Sequence, residues 1–308
     1  MTHFPIRSIL VYLPQPAGTA LSSVAKLAVA MGARVKLVDC FPQPPAYRRM
    51  AIPNYGEIST LAREMRKSQL EEAGGKLAQR GITVDSGVLE TELEAGLLEL
   101  IAREKFDLLV LFPTPNQLDV TRSLLRSCRC PVWVARAGKA RRRARVLAAV
   151  GTDSLDEKRD VLNTQTLQSA RLFASALGGP LEVLHVWNAF AEGILLRSPF
   201  AGHKAGSALA YLESTRAEHQ RHVVSLLKQS GIELPERSVH FVKGEVCEAI
   251  SNFCSSHDID LLVIGSVARA GVSAILHANT AECVLDNISC SMLVVKPAVA
   301  TELAEKAS

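Results

Sequence analysis

Phe106-Asp-Leu-Leu-Val-Leu111 returns later in the chain, almost residue for residue, as Ile259-Asp-Leu-Leu-Val-Ile264. Both are short apolar runs of strand length, rich in Leu, Val and Ile, and too short for a helix. Working outward from them, further matches appear in the same order. Arg7-Ser-Ile-Leu-Val-Tyr-Leu13 has Arg145-Val-Leu-Ala-Ala-Val-Gly151 as its counterpart. Arg34-Val-Lys-Leu-Val-Asp39 matches Leu181-Glu-Val-Leu-His-Val186, and Ser127-Cys-Arg-Cys-Pro-Val-Trp-Val134 matches Asn287-Ile-Ser-Cys-Ser-Met-Leu-Val294. Four matches in one order indicate a duplicated unit.

Helix-patterned sequence separates the runs. In the first half the spacing predicts helices near Thr19–Ala30, Glu57–Gln79, Leu93–Glu104 and Leu118–Ser127. In the second half, apolar residues recur three and four apart from Leu162 to Leu177, where Gly178-Gly179-Pro180 is a stop signal. Tyr211 to Leu227 is closed by Gly231, Ala249, Ile250 and Phe253 mark a third helix, and Ala281 to Leu285 a fourth. Strands and helices alternating at this spacing give an α/β protein, with a parallel sheet covered on both faces. The expected architecture is two tandem doubly wound five-stranded domains related by a pseudo-twofold, an internal pseudo-dimer that leaves a further homodimer open. Strand orders 2-1-3-4-5 and 3-2-1-4-5 both fit the pattern. The expected boundaries are 1–138 and 145–298 for the domains, 139–144 for a basic linker and 299–308 for a disordered tail. On this reading, one continuous sheet, or two unlike folds meeting at Lys139–Arg145, would contradict the duplication.

The 308 residues suffice for two domains, and 48% hydrophobic with 21% charged residues describes a chain able to bury their cores. A net charge of +4 is too small to argue for nucleic acid. The run Lys139, Arg141, Arg142, Arg143 and Arg145 reads as a solvated linker. The seven cysteines form no Cys-x-x-Cys or zinc spacing and mostly sit in apolar runs, which predicts reduced, buried thiols. Cys247 and Cys254 lie seven apart on one helix and read as core. No basic start followed by an apolar segment opens the chain, and no run is long enough to span a bilayer. The expectation is a cytoplasmic protein without a membrane span.

Gly265-Ser-Val-Ala-Arg-Ala-Gly-Val-Ser-Ala-Ile-Leu-His-Ala-Asn-Thr-Ala-Glu282, ending in Cys290-Ser-Met-Leu-Val-Val-Lys-Pro297, resembles the C-terminal signature of the universal stress protein family. Leu124-Leu-Arg-Ser-Cys-Arg-Cys-Pro-Val-Trp-Val134 is similar to tandem members of that family. The resemblance implies an adenine nucleotide alpha hydrolase-like fold and a role in stress resistance or signalling. It also implies a site for ATP or another adenine nucleotide in the second domain. On the strand ends, Gly151, Val186, Ile264 and Gly265 would line that site, with Asp153, Val267 and Arg269 in the adjoining loops. Asn279 and Thr280 would meet a phosphate or cap the helix they open.

Three departures from the family pattern bear on this site. Ala268 and Ala278 stand where the motif has glycines, so a Cβ obstructs backbone that must approach phosphate closely. Gly151 takes the place of the aspartate that holds the adenosine, with Asp153 two residues late. The interval from Asp107 to Cys130 is shorter than that from Asp260 to Cys290, and the residues lost are those that would cradle phosphate. Pro113 and Pro115 occupy the stub, and Tyr12-Leu-Pro14 supplies no acid. The first half therefore reads as a degenerate scaffold. For the second, an adenine nucleotide, another small or lipid-like ligand, and no dedicated ligand remain open. The apolar insert from Asn188 to Ser207, with Phe190, Ile194, Leu195, Leu196 and Phe200, reads as a cover for a pocket or for its own core. His219 and His222 read as surface histidines and His185 as a structural strand-end residue. No nucleophile with a base, no Walker loop and no His-Glu-x-x-His is present. The favoured function is a non-enzymatic stress-response or signalling protein with a small-molecule or protein partner. The alternatives are a weak ATP hydrolase and a ligand-free interaction scaffold.

Overall fold

The computed structural model describes residues 6–15, 18–136, 143–151, 157–190, 205–266 and 280–297. Most of the basic linker, the 299–308 tail and most of the apolar insert lie outside these residues. The first half runs β1 (Ser8–Tyr12), α1 (Gly18–Met31), β2 (Arg34–Cys40), α2 (Ala46–Ala51), α3 (Tyr55–Ala78), β3 (Val84–Leu89), α4 (Leu93–Glu104), β4 (Leu108–Leu111), α5 (Leu118–Ser127) and β5 (Val132–Val134). The second runs β6 (Val146–Val150), α6 (Glu157–Leu177), β7 (Leu181–Trp187), α7 (Ala205–Gln229), β8 (Val239–Lys243), α8 (Val246–Ser256), β9 (Leu261–Gly265), α9 (Thr280–Asn287) and β10 (Ser291–Val295). Gly178 (φ 68°) and Gly231 (φ 63°) close α6 and α7 in the left-handed conformation that the stop signals predict. The short helix α2 was not foreseen. Its Ala-Tyr-Arg-Arg-Met-Ala sequence buries no residue, so it carries no apolar stripe to read.

The ten strands of the described residues form one sheet, in the order β3-β2-β1-β4-β5-β10-β9-β6-β7-β8. Each half is parallel with order 3-2-1-4-5, and the halves join edge to edge where β5 pairs antiparallel with β10. A continuous sheet was the outcome that the sequence reading set against duplication, and that expectation is corrected. Two like units related by a twofold must meet antiparallel if they share an edge, so sheet continuity and repetition coexist. The pseudo-axis passes beside the central pair, Trp133 and Leu293.

The repeated aspartate explains itself in the structure. Asp107 Oδ2 accepts hydrogen bonds from the Arg7 and Ser8 N–H groups and from the Ser8 hydroxyl, each 2.9 Å. Asp260 Oδ2 accepts from the Arg145 N–H at 2.8 Å. In both halves the residue before the fourth strand thus clips that strand to the start of the first. Arg145 itself pairs with the buried Glu182 (2.6 Å), so the last residue of the basic run is structural and not a free linker charge.

Strand pairing also corrects the alignment of the halves. Ile9 pairs with Leu108 and Val146 with Leu261, and Leu108 and Leu261 are equivalent. Ile9 therefore corresponds to Val146 and Tyr12 to Ala149, one residue out of step with the sequence match. Likewise Val35 faces the same core as Leu181, which puts Asp39 opposite His185.

Helices cover both faces. One core packs α1, α3, α6 and α7 on residues such as Ile9, Val11, Val146 and Ala148. The other packs α4, α5, α8 and α9 on Leu10, Leu109, Leu147 and Leu262. Each core runs across both halves. At the seam α1 packs on α6, and Trp133 meets Phe173 edge to face with centroids 5.3 Å apart. On the opposite face Arg122 pairs with Asp286 (2.8 Å) and Arg126 with Glu282 (2.7 Å). Arg136 donates to the Leu285 carbonyl at the end of α9 (2.7 Å), and Lys296 donates to the Leu125 carbonyl near the end of α5. Each half thus places a cation at the negative end of the other half's helix.

The cysteine expectation is also corrected in part. Cys247 and Cys283 form a disulfide between α8 and α9 with their Cα atoms 6.2 Å apart. Cys40, Cys128, Cys130, Cys254 and Cys290 are free and buried, as predicted.

Candidate functional site: the β6–β9 crevice

A doubly wound sheet opens a crevice where its strand order turns, at the carboxyl ends of the strands. Here that happens twice, between β1 and β4 and between β6 and β9. The two crevices are built differently.

In the first half Tyr12 ends β1 with its side chain 3% exposed, and its hydroxyl accepts from Gln117 Nε2 at 2.7 Å. Gln117 is held in turn by the Thr114 N–H (3.0 Å), within the short turn that Pro115 opens. Burial pushes the phenol up to about 12, so it stays neutral. Beside it Asp39 is buried against Arg66 of α3 and accepts from the Cys40 N–H at 2.7 Å. Desolvation raises the Asp39 carboxyl above its ordinary value even against the guanidinium. Tyr12 with Gln117, and Asp39 with Arg66, thus occupy the carboxyl ends of β1 and β2 with protein side chains.

In the second half Ala149 stands where the first half has Tyr12, leaving a methyl group in place of a phenol. The strand ends are Gly151 and Gly265. Asn163, 6% exposed on α6, clamps the Gly151 peptide: its Oδ1 accepts the N–H at 3.2 Å and its Nδ2 donates to the carbonyl. That N–H is thereby committed inward and does not face a ligand. Gly265 has a packing reason as well. A Cβ there would lie 2.7 Å from Leu162 Cγ and 3.0 Å from Thr166 Oγ1, so the glycine lets α6 close onto β9. Ile264 is core, Val186 is half-buried on β7, and Thr280 opens α9 half-buried. The structure brings Gly151, Ile264 and Gly265 together at the β6–β9 edge, with Val186 on the neighbouring strand. Asp153, Val267, Arg269 and Asn279, with Ala268 and Ala278, lie outside the described residues.

Sequence reasoning missed Asn163 and the coupling of the histidines. Asn163 had a signal, a polar residue beside Leu162 within an apolar helical stripe. His185 is 1% exposed; its Nδ1–H donates to the Val150 carbonyl (3.0 Å), so its Nε2 accepts from His219 Nδ1–H (3.0 Å). Burial lowers the His185 ring to about 4, and it lowers His219 as well. His219 is therefore part of the strand-end structure and not a plain surface residue. His222 instead meets Asp160 at 3.0 Å. Trp187 stacks near His219 with centroids 5.9 Å apart, under the Lys243 ammonium. Asp39–Arg66 and His185–His219 occupy equivalent places, each joining the second strand of its half to the helix above.

Among the described residues no group of three or more His, Cys, Asp or Glu could hold a metal ion, and no helix is long and apolar enough to cross a membrane. A groove of about 410 Å³ opens beside β8, between Lys243 and the α8 face bearing Glu248, Phe253 and His257. None of the described sequence-predicted residues lines it. Of the apolar insert, Phe190 is described and is exposed.

Comparison with known proteins follows the same division into halves. The universal stress protein family model matches twice, over residues 5–136 and 148–296. The chain is 25% identical over 231 residues to the universal stress protein E homolog of Haemophilus influenzae, covering 72% of each chain. It is 26% identical over 175 residues to universal stress protein E of Escherichia coli K12, a match that spans about half of that relative (53%) and 56% of this chain. Among solved structures, a functionally unknown protein from Pseudomonas aeruginosa PAO1 superposes with a TM-score of 0.69 at 23% identity, covering 96% of this chain and 94% of that one. A universal stress protein from Archaeoglobus fulgidus has the same fold, with a TM-score of 0.63 at 15% identity over 96% of this chain and 98% of its own. With two matched family units and one fold in both, the chain is a tandem member of the universal stress protein family.

Proposed function

We propose that this protein is a non-enzymatic stress-response or signalling protein whose second half binds a small molecule of the adenine nucleotide class at the β6–β9 crevice. The first half serves as its scaffold. The observation that supports this most is the exchange of Tyr12 for Ala149 at equivalent positions. A buried phenol ends β1 at one crevice, whereas the described strand ends at the other carry a methyl at Ala149 and two glycines. Apolar walls with a few polar groups are the usual make-up of a small-ligand site, and Val186 of β7, packed on the same core as Ala149, stands beside this one. Among the described residues no nucleophile paired with a base stands at the crevice, so the reading is of a binding site.

The test begins with native mass spectrometry of freshly purified protein, followed by calorimetric titration with ATP and cyclic AMP. Ala149→Tyr should cut affinity at least tenfold, and Tyr12→Ala should leave it unchanged. Circular dichroism of both variants separates lost binding from lost folding. Binding that survives Ala149→Tyr in a folded protein, or that follows Tyr12, would overturn the assignment. Phosphate release that falls with the same substitution would replace a binding protein with a hydrolase.

A further inference from the structure

Six of the seven cysteines lie in three side-chain pairs on one face of the sheet. The thiols of Cys128 and Cys130 are 3.4 Å apart, those of Cys254 and Cys290 hydrogen-bond, and Cys247 is bonded to Cys283. The last two pairs form a ladder. Cys247 and Cys254 are seven apart along α8, and Cys283 and Cys290 are seven apart on α9 and the turn after it, so the rungs lie roughly 10 Å apart. The inner rung, Cys254 and Cys290, is buried and remains as thiols. The outer rung is half-exposed and is the one that is oxidised. Burial therefore does not protect a structural disulfide here. Both of its cysteines are part-exposed, unlike those of the inner rung, and exposed disulfides are the ones that turn over. Its place also matters. Strands β8 and β9 are both parallel to β6, so α8 and α9 both begin at the carboxyl edge of the sheet. Cys247 is the second residue of α8 and Cys283 the fourth of α9, so the bond ties the first turns of the two helices together.

We propose that the Cys247–Cys283 pair is a reversible thiol–disulfide site, opened by a dithiol reductant, whose state sets how firmly the first turn of α9 is held to α8. In opening, one thiolate of the reductant attacks a protein sulfur, breaks the S–S bond and forms a mixed disulfide. The second thiolate then displaces the protein sulfur. Two electrons and two protons end on Cys247 and Cys283, and the reductant leaves as its own disulfide. Closing is the reverse, with an oxidised dithiol as acceptor. The inference stands whether or not the crevice binds a nucleotide.

The test equilibrates the full-length protein in mixtures of reduced and oxidised dithiothreitol, traps thiols with N-ethylmaleimide and maps them by peptide mass spectrometry. Cys247 and Cys283 should become labelled together, with one midpoint, while Cys254 and Cys290 stay unlabelled in the folded protein. Hydrogen exchange over residues 280–287 should rise at least threefold on reduction. Cys283→Ser should show the fast exchange in either buffer, with Cys247→Ser as the second variant should the first not fold. Separate midpoints, full labelling of both cysteines under oxidising conditions, or exchange in α9 that ignores the redox state would each overturn the proposal.

Discussion

His185 offers a quantitative check on the strand-end structure of the second half. Its ring is buried, donates to the Val150 carbonyl and accepts from His219, an arrangement that needs the neutral form. Burial is the main cause of its lowered pKa, about 4 against the ordinary 6.5. Above pH 6.5 the ring is neutral in both folded and unfolded chains and has no effect on the balance between them. As pH falls from 6.5 towards 4 the unfolded chain takes up a proton that the folded one refuses, so stability is lost through that window and levels off below it. The full loss is about 3 kcal/mol, of which about 2 kcal/mol falls between pH 7 and pH 5. The perturbation is His185→Gln, which keeps a donor for Val150 and an acceptor for His219 but does not titrate. Urea unfolding at half-unit pH steps, followed by the fluorescence of Trp133 and Trp187 and by circular dichroism, gives stability against pH for both proteins. The variant should lose about 2 kcal/mol less than the parent between pH 7 and pH 5. Parallel curves would refute the reasoning, because they would place the acid sensitivity elsewhere.

Two further outcomes follow from contacts in the fold. Gly265→Ala should destabilise the protein by about 1–3 kcal/mol, because its Cβ would press into Leu162; adding Leu162→Ala should make the two changes non-additive in a chemical-denaturation cycle. Asp107→Ala removes the acceptor for two backbone N–H groups and a hydroxyl, and should cost about 2–3 kcal/mol in the same assay, with Asp107→Asn recovering part of it.

The duplication was legible because its markers are local. The Asp-Leu-Leu-Val runs carry both the strand and the clip that starts it, and the glycine stops fix the ends of α6 and α7. The register of β1 against β6 was not legible. Strands buried on both faces lack the alternation that would reveal which residue faces which core, so a shift of one leaves the pattern intact. That single step hid the replacement of Tyr12 by Ala149. The edge strands β3 and β8 could not be named because their half-buried residues mix polar and apolar types. The glycines at the site were visible, but their reasons are tertiary: Asn163 and Leu162 reach them from α6. The disulfide joins residues 36 apart, with no local spacing to announce it.

The seam carries a history of its own. In the two ion pairs at its outer face the first half supplies the arginines, Arg122 and Arg126, and the second the acids, Glu282 and Asp286. A twofold made from two first halves would set guanidinium against guanidinium, and one made from two second halves carboxylate against carboxylate. Divergence of this kind favours sibling over self at the seam. Such a partnership lets each sibling alter its own carboxyl-edge crevice separately, as Tyr12 and Ala149 at equivalent positions record.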